Sequence, residues 1–235
     1  MGPRIGNDDR LKRFFRGIFR LRPPAPKYNF TWDPGLVLNY LSFNNENISL
    51  EKLTKKLVTI LALTTGHRVQ TLSLIKVKNL RFNSTGVQIK IPDLIKTSRK
   101  NSLQPMLHLK YYNSKVEICP VNTLKCYLES TKSIRNNVEN LLLTYKKPHK
   151  ASSAQSISRW IKATLAEAGI DISIFSAHST RHAATSAAKR AGLNMDLIRK
   201  TAGWSGQSAT FAKFYNRPIQ DDPSLFSSTI CNTVV

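Results

Sequence analysis

Two polar side chains at the head of an alanine-rich stretch are the first candidates for chemistry. In A-H-S-T-R-H-A-A-T-S-A-A-K-R-A-G, residues 177 to 192, His178 and Arg181 stand three apart and so share one face of a helix. A helix start offers free backbone N–H groups and partial positive charge, which aims the pair at an anion such as a phosphate oxygen. Ala183, Ala184, Ala187, Ala188 and Ala191 let the remainder of the helix pack closely, which sets its polar start apart. The plainer alternative is a His-x-x-Arg pair on a solvated face. Further on, T-A-G-W-S-G-Q-S-A-T-F-A-K-F-Y-N-R-P, residues 201 to 218, brackets Trp204 with two glycines and carries a helical pattern to the phenol of Tyr215. Phe211, Phe214 and Tyr215 also fit a core stripe at i, i+3 and i+4. Upstream, T-T-G-H-R-V-Q-T-L, residues 64 to 72, interrupts a helical pattern at Gly66 and presents Arg68 beside an apolar run. The segment I-K-T-S-R-K-N, residues 95 to 101, places Lys96 between strand patterns, where a solvated lysine is the ordinary alternative.

The elements that must position these residues follow from periodicity. Leu50, Leu53, Leu57, Ile60 and Leu61 give one helix near 50 to 64 its apolar stripe, and a second is expected near 34 to 43. The period then changes to two. Leu80 and Phe82, then Val87, Ile89 and Ile91, flank an Asn-Ser-Thr-Gly turn, and Met106, Leu107 and Leu109 follow a polar stretch, as expected for about three antiparallel strands. Helical spacing returns near 120 to 132, 153 to 168, 178 to 191 and 194 to 201, with one further helix expected to span Tyr215. Near the N-terminus, residues 10 to 22 alternate Leu11, Phe14, Phe15, Ile18 and Phe19 with Arg10, Lys12, Arg13, Arg16 and Arg20 in a basic amphipathic helix that Pro23, Pro24 and Pro26 end. The resulting fold class is mainly α with a small antiparallel β-sheet, an α+β protein.

Composition narrows the partner. Lysine and arginine total 36 against 14 acids in 235 residues, a formal net charge of +22, and this asks for a polyanion. Double-stranded DNA or another nucleic acid comes first and an anionic membrane surface second. No membrane partner is expected, because no apolar run approaches the roughly 20 residues of a spanning helix. Cys119, Cys126 and Cys231 are odd in number and lack CxxC spacing, so neither a disulfide framework nor a zinc site is expected. The opening MGPRIGNDDR has no apolar stretch and cleavage site of a secretory signal, so an intracellular, reducing location is expected. Carboxylates are sparse, and the adjacent pairs Asp8-Asp9 and Asp221-Asp222 fall near the ends, so no metal site or other cofactor is called for.

Taken in order, T-G-x-R, then K-T between strands, then H-x-x-R-H, then G-W, then Y resembles the catalytic domain of the tyrosine recombinases, the class of phage integrases. The textures R-P-P-A-P-K-Y, C-P-V-N-T-L, F-S-A-H-S-T-R-H-A-A-T-S-A-A and T-F-A-K-F-Y-N-R-P are most similar to recombinases of eukaryotic mobile elements of the DIRS, Ngaro and Crypton groups. The resemblance spans about residues 22 to 218 and implies the DNA breaking-rejoining fold and a nuclear location. It makes Arg68 and Arg181 the two catalytic arginines, Lys96 the lysine of the sheet, His178 the partner of Arg181, Trp204 the histidine-or-tryptophan position and Tyr215 the nucleophile. His182 takes a structural place beside them. It also divides the chain into a remnant of an N-terminal DNA-binding domain with its linker (1–30), the catalytic domain (31–219) and a tail (220–235), and implies a homotetramer on DNA. Two positions depart from many bacterial and phage members: Thr71 stands where an acid commonly follows the first arginine, and the interval from Trp204 to Tyr215 is slightly longer.

The residue types suit the reaction so implied. Attack on a phosphodiester builds negative charge on its non-bridging oxygens, and two guanidinium forks match that charge while staying ionised. A phenol, with a reference pKa near ~10, needs neighbouring cations to attack at neutral pH. His178 is suited to take its proton and Lys96 to protonate the leaving 5′ oxygen. Two other readings remain: a DNA-binding remnant that no longer cuts, and a type IB topoisomerase-like enzyme that relaxes supercoils.

Overall fold

A computed structural model describes residues 8–22, 28–43, 48–98, 104–204, 217–219 and 231. The expected helix over Tyr215, the proline stretch 23–27 and nearly all of the tail lie outside the described residues.

The first helix, α1 (Asp9–Leu21), is capped by the Asp8 carboxylate accepting from the Arg10 N–H, and none of its residues is buried. Helix α2 (Pro34–Ser42) starts in the same way, with Asp33 accepting from the Gly35 N–H and proline in the first turn. The central element is α3 (Leu50–Thr65), capped by Ser49 and closed by Gly66 in the left-handed conformation at φ 61°. Its burial extends well beyond the apolar stripe, because α5 (Pro120–Thr131), α6 (Ala154–Glu167), α7 (Ser179–Arg190) and β3 (Met106–Lys110) all contact it. Thr54, Thr59 and Thr65 tolerate that burial by donating their hydroxyls to carbonyls one turn back, at 2.6, 2.8 and 2.7 Å. Lys56 is buried too; its ammonium donates to the Leu41 carbonyl at 2.8 Å, and burial pulls its pKa below that of an ordinary lysine.

The short helix α4 (Val69–Ser73) leads to the three-stranded antiparallel sheet, in the order β1 (Leu80–Asn83), β2 (Gly86–Lys90) and β3. Ile89 pairs with Leu80 on one side and Leu107 on the other, and Val87 pairs with Phe82 and Leu109. In β3 the alternation is complete: Leu107 and Leu109 are buried while Met106, His108 and Lys110 are exposed. Asn83 fixes the turn by accepting from the N–H groups of Thr85 and Gly86 and from the Thr85 hydroxyl. One apolar core joins the sheet to the helices through Leu57, Ile60, Ile89, Leu124, Ile157 and Ile161. The last described helix, α8 (Met195–Thr201), lies against α7, so the two carry the chain to Trp204.

The α+β class stands in this structure, as do the helix and strand positions read from periodicity within the described residues. Periodicity gave no sign of α4, whose five residues span little more than one turn. Among the described residues no helix is long and apolar enough to cross a membrane.

Candidate phosphate site at the start of α7

Helix α7 opens on a tight turn in which Ser179, Thr180 and Arg181 donate their N–H groups to the carbonyls of Ser176, Ala177 and His178. His178 occupies the cap position with helical dihedrals, and its side chain does not cap the helix. The turn is held from below by the indole N–H of Trp32, which donates to the buried Ser179 hydroxyl at 2.8 Å.

Three residues on, Arg181 is only 1% exposed. Its Nη1 donates to the carbonyls of both Gly66 and Ala202, the residues that close α3 and α8. Helix C-termini carry unpaired carbonyls and partial negative charge, so two of them help to accommodate a buried guanidinium. The face of the guanidinium lies over the Trp204 ring, 3.4 Å from its centroid. One side chain therefore joins the ends of three helices and fixes Trp204, which is itself buried.

Arg68 stands two residues past Gly66. It is half-buried and sits at the cap of α4 with an extended backbone, where its carbonyl accepts from the N–H groups of Thr71 and Leu72. Lys96 is exposed in the connection between β2 and β3. Its turn is set by Ser98, whose hydroxyl accepts from the Ile95 N–H at 2.9 Å and donates to the Gln104 side chain at 2.9 Å.

The charges of these three cationic residues act on His178. Crowding by protein atoms, followed by the positive charges of Arg181, Arg68 and Lys96, brings its pKa down to about 4. At neutral pH His178 is thus an uncharged imidazole in a cluster of three cations, able to accept a proton or donate one hydrogen bond to an anion.

A further histidine lies beneath. His67 is buried, and burial followed by the charge of Arg181 lowers its pKa to about 4 despite a hydrogen bond to the Thr201 backbone. Gly203, at φ 71°, makes room for it, because a β-carbon there would stand 2.8 Å from His67 Cε1. A cavity of about 660 Å³ opens beside this layer and is lined by His67, Ile95, Thr97, Thr201, Gly203 and Trp204 among others.

Residues 39–220, more than half of the sequence, match the phage integrase family. The chain belongs to that family. Its fold is shared with solved recombinases at low identity. The XerA recombinase is 16% identical, with a TM-score of 0.59 over 97% of this chain and 74% of that one. The XerH site-specific recombinase bound to its difH substrate in a pre-cleavage complex is 15% identical, with a TM-score of 0.59 over 86% and 52%. A lambda integrase tetramer bound to a Holliday junction is 13% identical, with a TM-score of 0.51 over 91% and 59%. This phage integrase family chain thus spans about half the length of the XerH chain. No curated protein sequence matches it.

Of the six residues singled out in the sequence of this integrase-family chain, Arg181 lies against Trp204, and the charges of Arg181, Arg68 and Lys96 act on His178. Tyr215 lies outside the described residues. His182 is buried and stacks edge-on against His178, with ring centroids 5.5 Å apart. Sequence reasoning missed His67, although it directly precedes Arg68. The signal available was Gly203, whose need to be glycine shows only once the two helix ends meet.

Proposed function

We propose that this chain is the catalytic domain of a DNA-cutting and rejoining tyrosine recombinase, with Tyr215 as nucleophile. The observation that carries the reading is the convergence of Arg68, Lys96 and Arg181 on His178 beside the stacked Trp204. That grouping of donors fits a phosphodiester, whose two non-bridging oxygens take the guanidinium forks while the indole N–H and the imidazole supply further donors. The phenol proton passes to His178, which is neutral at working pH and so able to receive it. The phenolate attacks phosphorus, Lys96 gives a proton to the departing 5′ oxygen, and a 3′-phosphotyrosyl link conserves the bond energy for rejoining. In this scheme the guanidinium groups supply the charge stabilisation that other nucleases draw from divalent ions.

Double-stranded DNA is the proposed partner, on the strength of the net charge of +22 and of relatives solved on DNA. Assembly as a tetramer on two sites, a place among the mobile-element recombinases of the DIRS, Ngaro and Crypton type, and a nuclear location complete the proposal. They rest on the sequence textures quoted above. The proposed organisation is an N-terminal basic segment over 1–30, the catalytic domain over 31–219 and a tail over 220–235.

The test is a nicked DNA substrate carrying the target site, incubated with a chelator. Wild type should accumulate a covalent protein–DNA adduct that survives denaturation, and Tyr215→Phe should give none. Binding without any adduct would favour a non-cutting DNA-binding protein. Relaxation of supercoils without strand exchange between duplexes would favour a topoisomerase.

A further inference from the structure

The segment ahead of α2 makes contacts that neither the mechanism above nor the family match at residues 39–220 includes. Tyr28 stands at its centre. Its ring meets the buried His182 ring edge-on at 5.6 Å between centroids, and His182 in turn abuts His178. On another side the Tyr28 ring carries the guanidinium of Arg217, 4.6 Å from its centroid. A third contact, with Phe175 at 5.0 Å, anchors Tyr28 in the core beside Phe30.

Arg217 is two residues beyond Tyr215 in the sequence and is held firmly. It is 8% exposed, and its N–H donates to the Ser186 hydroxyl of α7 at 3.0 Å. The next residue, Pro218, accepts from the Thr31 N–H at 2.8 Å, and Ile219 pairs with Thr31 in a parallel bridge. Trp32, in the same segment, fixes Ser179 at the start of α7. Residues 28–32 therefore join the helix that presents His178 and Arg181 to the chain leaving the proposed nucleophile.

We propose that Tyr28 is a positioning residue for the cleavage step: through His182 it orients His178, and through Arg217 it ties the chain two residues past Tyr215 to α7. This rests on the recombinase reading. The physical reason is that attack needs the phenol oxygen and its proton acceptor closely aligned, and one aromatic ring touches both His182, which abuts that acceptor, and Arg217, two residues past the phenol in the sequence. The ring is the working part, since an edge contact and a cation over the ring face need the π-system rather than the hydroxyl.

The experiment compares wild type, Tyr28→Ala, Tyr28→Phe, Arg217→Met and the Tyr28→Ala/Arg217→Met double variant on the nicked substrate. Adduct formation is timed at saturating protein, and DNA affinity and thermal midpoint are measured on the same samples. Tyr28→Ala and Arg217→Met should each slow adduct formation roughly ten- to a hundredfold with DNA affinity changed less than about threefold. Tyr28→Phe should restore the rate to within about threefold, and the double variant should be no slower than the worse single one. A wild-type rate in Arg217→Met, a loss shared by Tyr28→Phe, or losses that multiply in the double variant would each overturn the proposal while leaving the recombinase reading intact. Absence of adduct in wild type itself would instead overturn that reading, and the positioning role with it.

Discussion

The guanidinium of Arg181 lies 3.4 Å above the centre of the Trp204 ring while its Nη1 donates to the carbonyls that close two other helices. Planarity matters for the stack, where a flat guanidinium covers the ring while one of its nitrogens serves both carbonyls. In Arg181→Lys the ammonium retains N–H donors but loses the flat stack and the other guanidinium nitrogens. Adduct formation should drop about 100-fold or more, and stability should fall by roughly 2–4 kcal/mol as the buried charge loses its partners. Urea denaturation and the adduct assay measure the two separately.

Trp204→Phe divides the roles of that ring. The six-membered ring keeps an aromatic face beneath Arg181, so stability should change by no more than about 1–2 kcal/mol. The indole N–H is lost, and with it one donor toward the proposed phosphate, so adduct formation should fall at least about tenfold. Equal activity in the two proteins would mean that Trp204 serves only to support Arg181.

Gly203 is bound to its identity by His67. Alanine there must adopt φ 71° and bring its β-carbon to 2.8 Å from the buried imidazole. The expected cost is about 1–3 kcal/mol of stability, read by chemical denaturation. Gly203→Ala combined with His67→Ala should recover part of that cost, since the clash disappears and only the backbone strain stays.

His67 also gives the fold a pH dependence of definite sign. The native state holds it near 4, below its ordinary 6.5, so the unfolded chain takes up the proton first as pH falls. Its contribution is complete above pH 6.5 and is lost as the pH drops toward 4, amounting to about 3 kcal/mol at most. Stability measured by denaturation from pH 7 to 4.5 should fall in wild type, and more shallowly in His67→Asn. Parallel curves for the two would assign the acid sensitivity to other groups.

Lys96 is testable through the leaving group. Lys96→Ala should slow cleavage of ordinary DNA by about 100-fold or more, as expected when a general acid is removed. Replacing the bridging 5′ oxygen by sulfur makes a leaving group that needs no proton, and this substrate should restore the variant to near the wild-type rate. Failure of the sulfur substrate to rescue Lys96→Ala would assign Lys96 to binding rather than proton transfer.

What the sequence determined by itself was local. Apolar spacing, Gly66 and the Asn-Ser-Thr-Gly turn specify α3 and the hairpin through neighbours a few residues away, so these elements were legible in the sequence. The charge of +22 likewise needs only counting. The ordered set of Arg68, Lys96, His178, Arg181, Trp204 and Tyr215 gave the candidate site through resemblance, without showing how the residues meet. Only the tertiary structure decided that Arg181 is buried on the Gly66 carbonyl 115 residues away, that Trp32 reaches Ser179 across 147 residues, and that His67 lies against Gly203. Such contacts depend on how helix ends converge in three dimensions. Periodicity records which face of an element is apolar, and it carries no information on which distant element will cover that face.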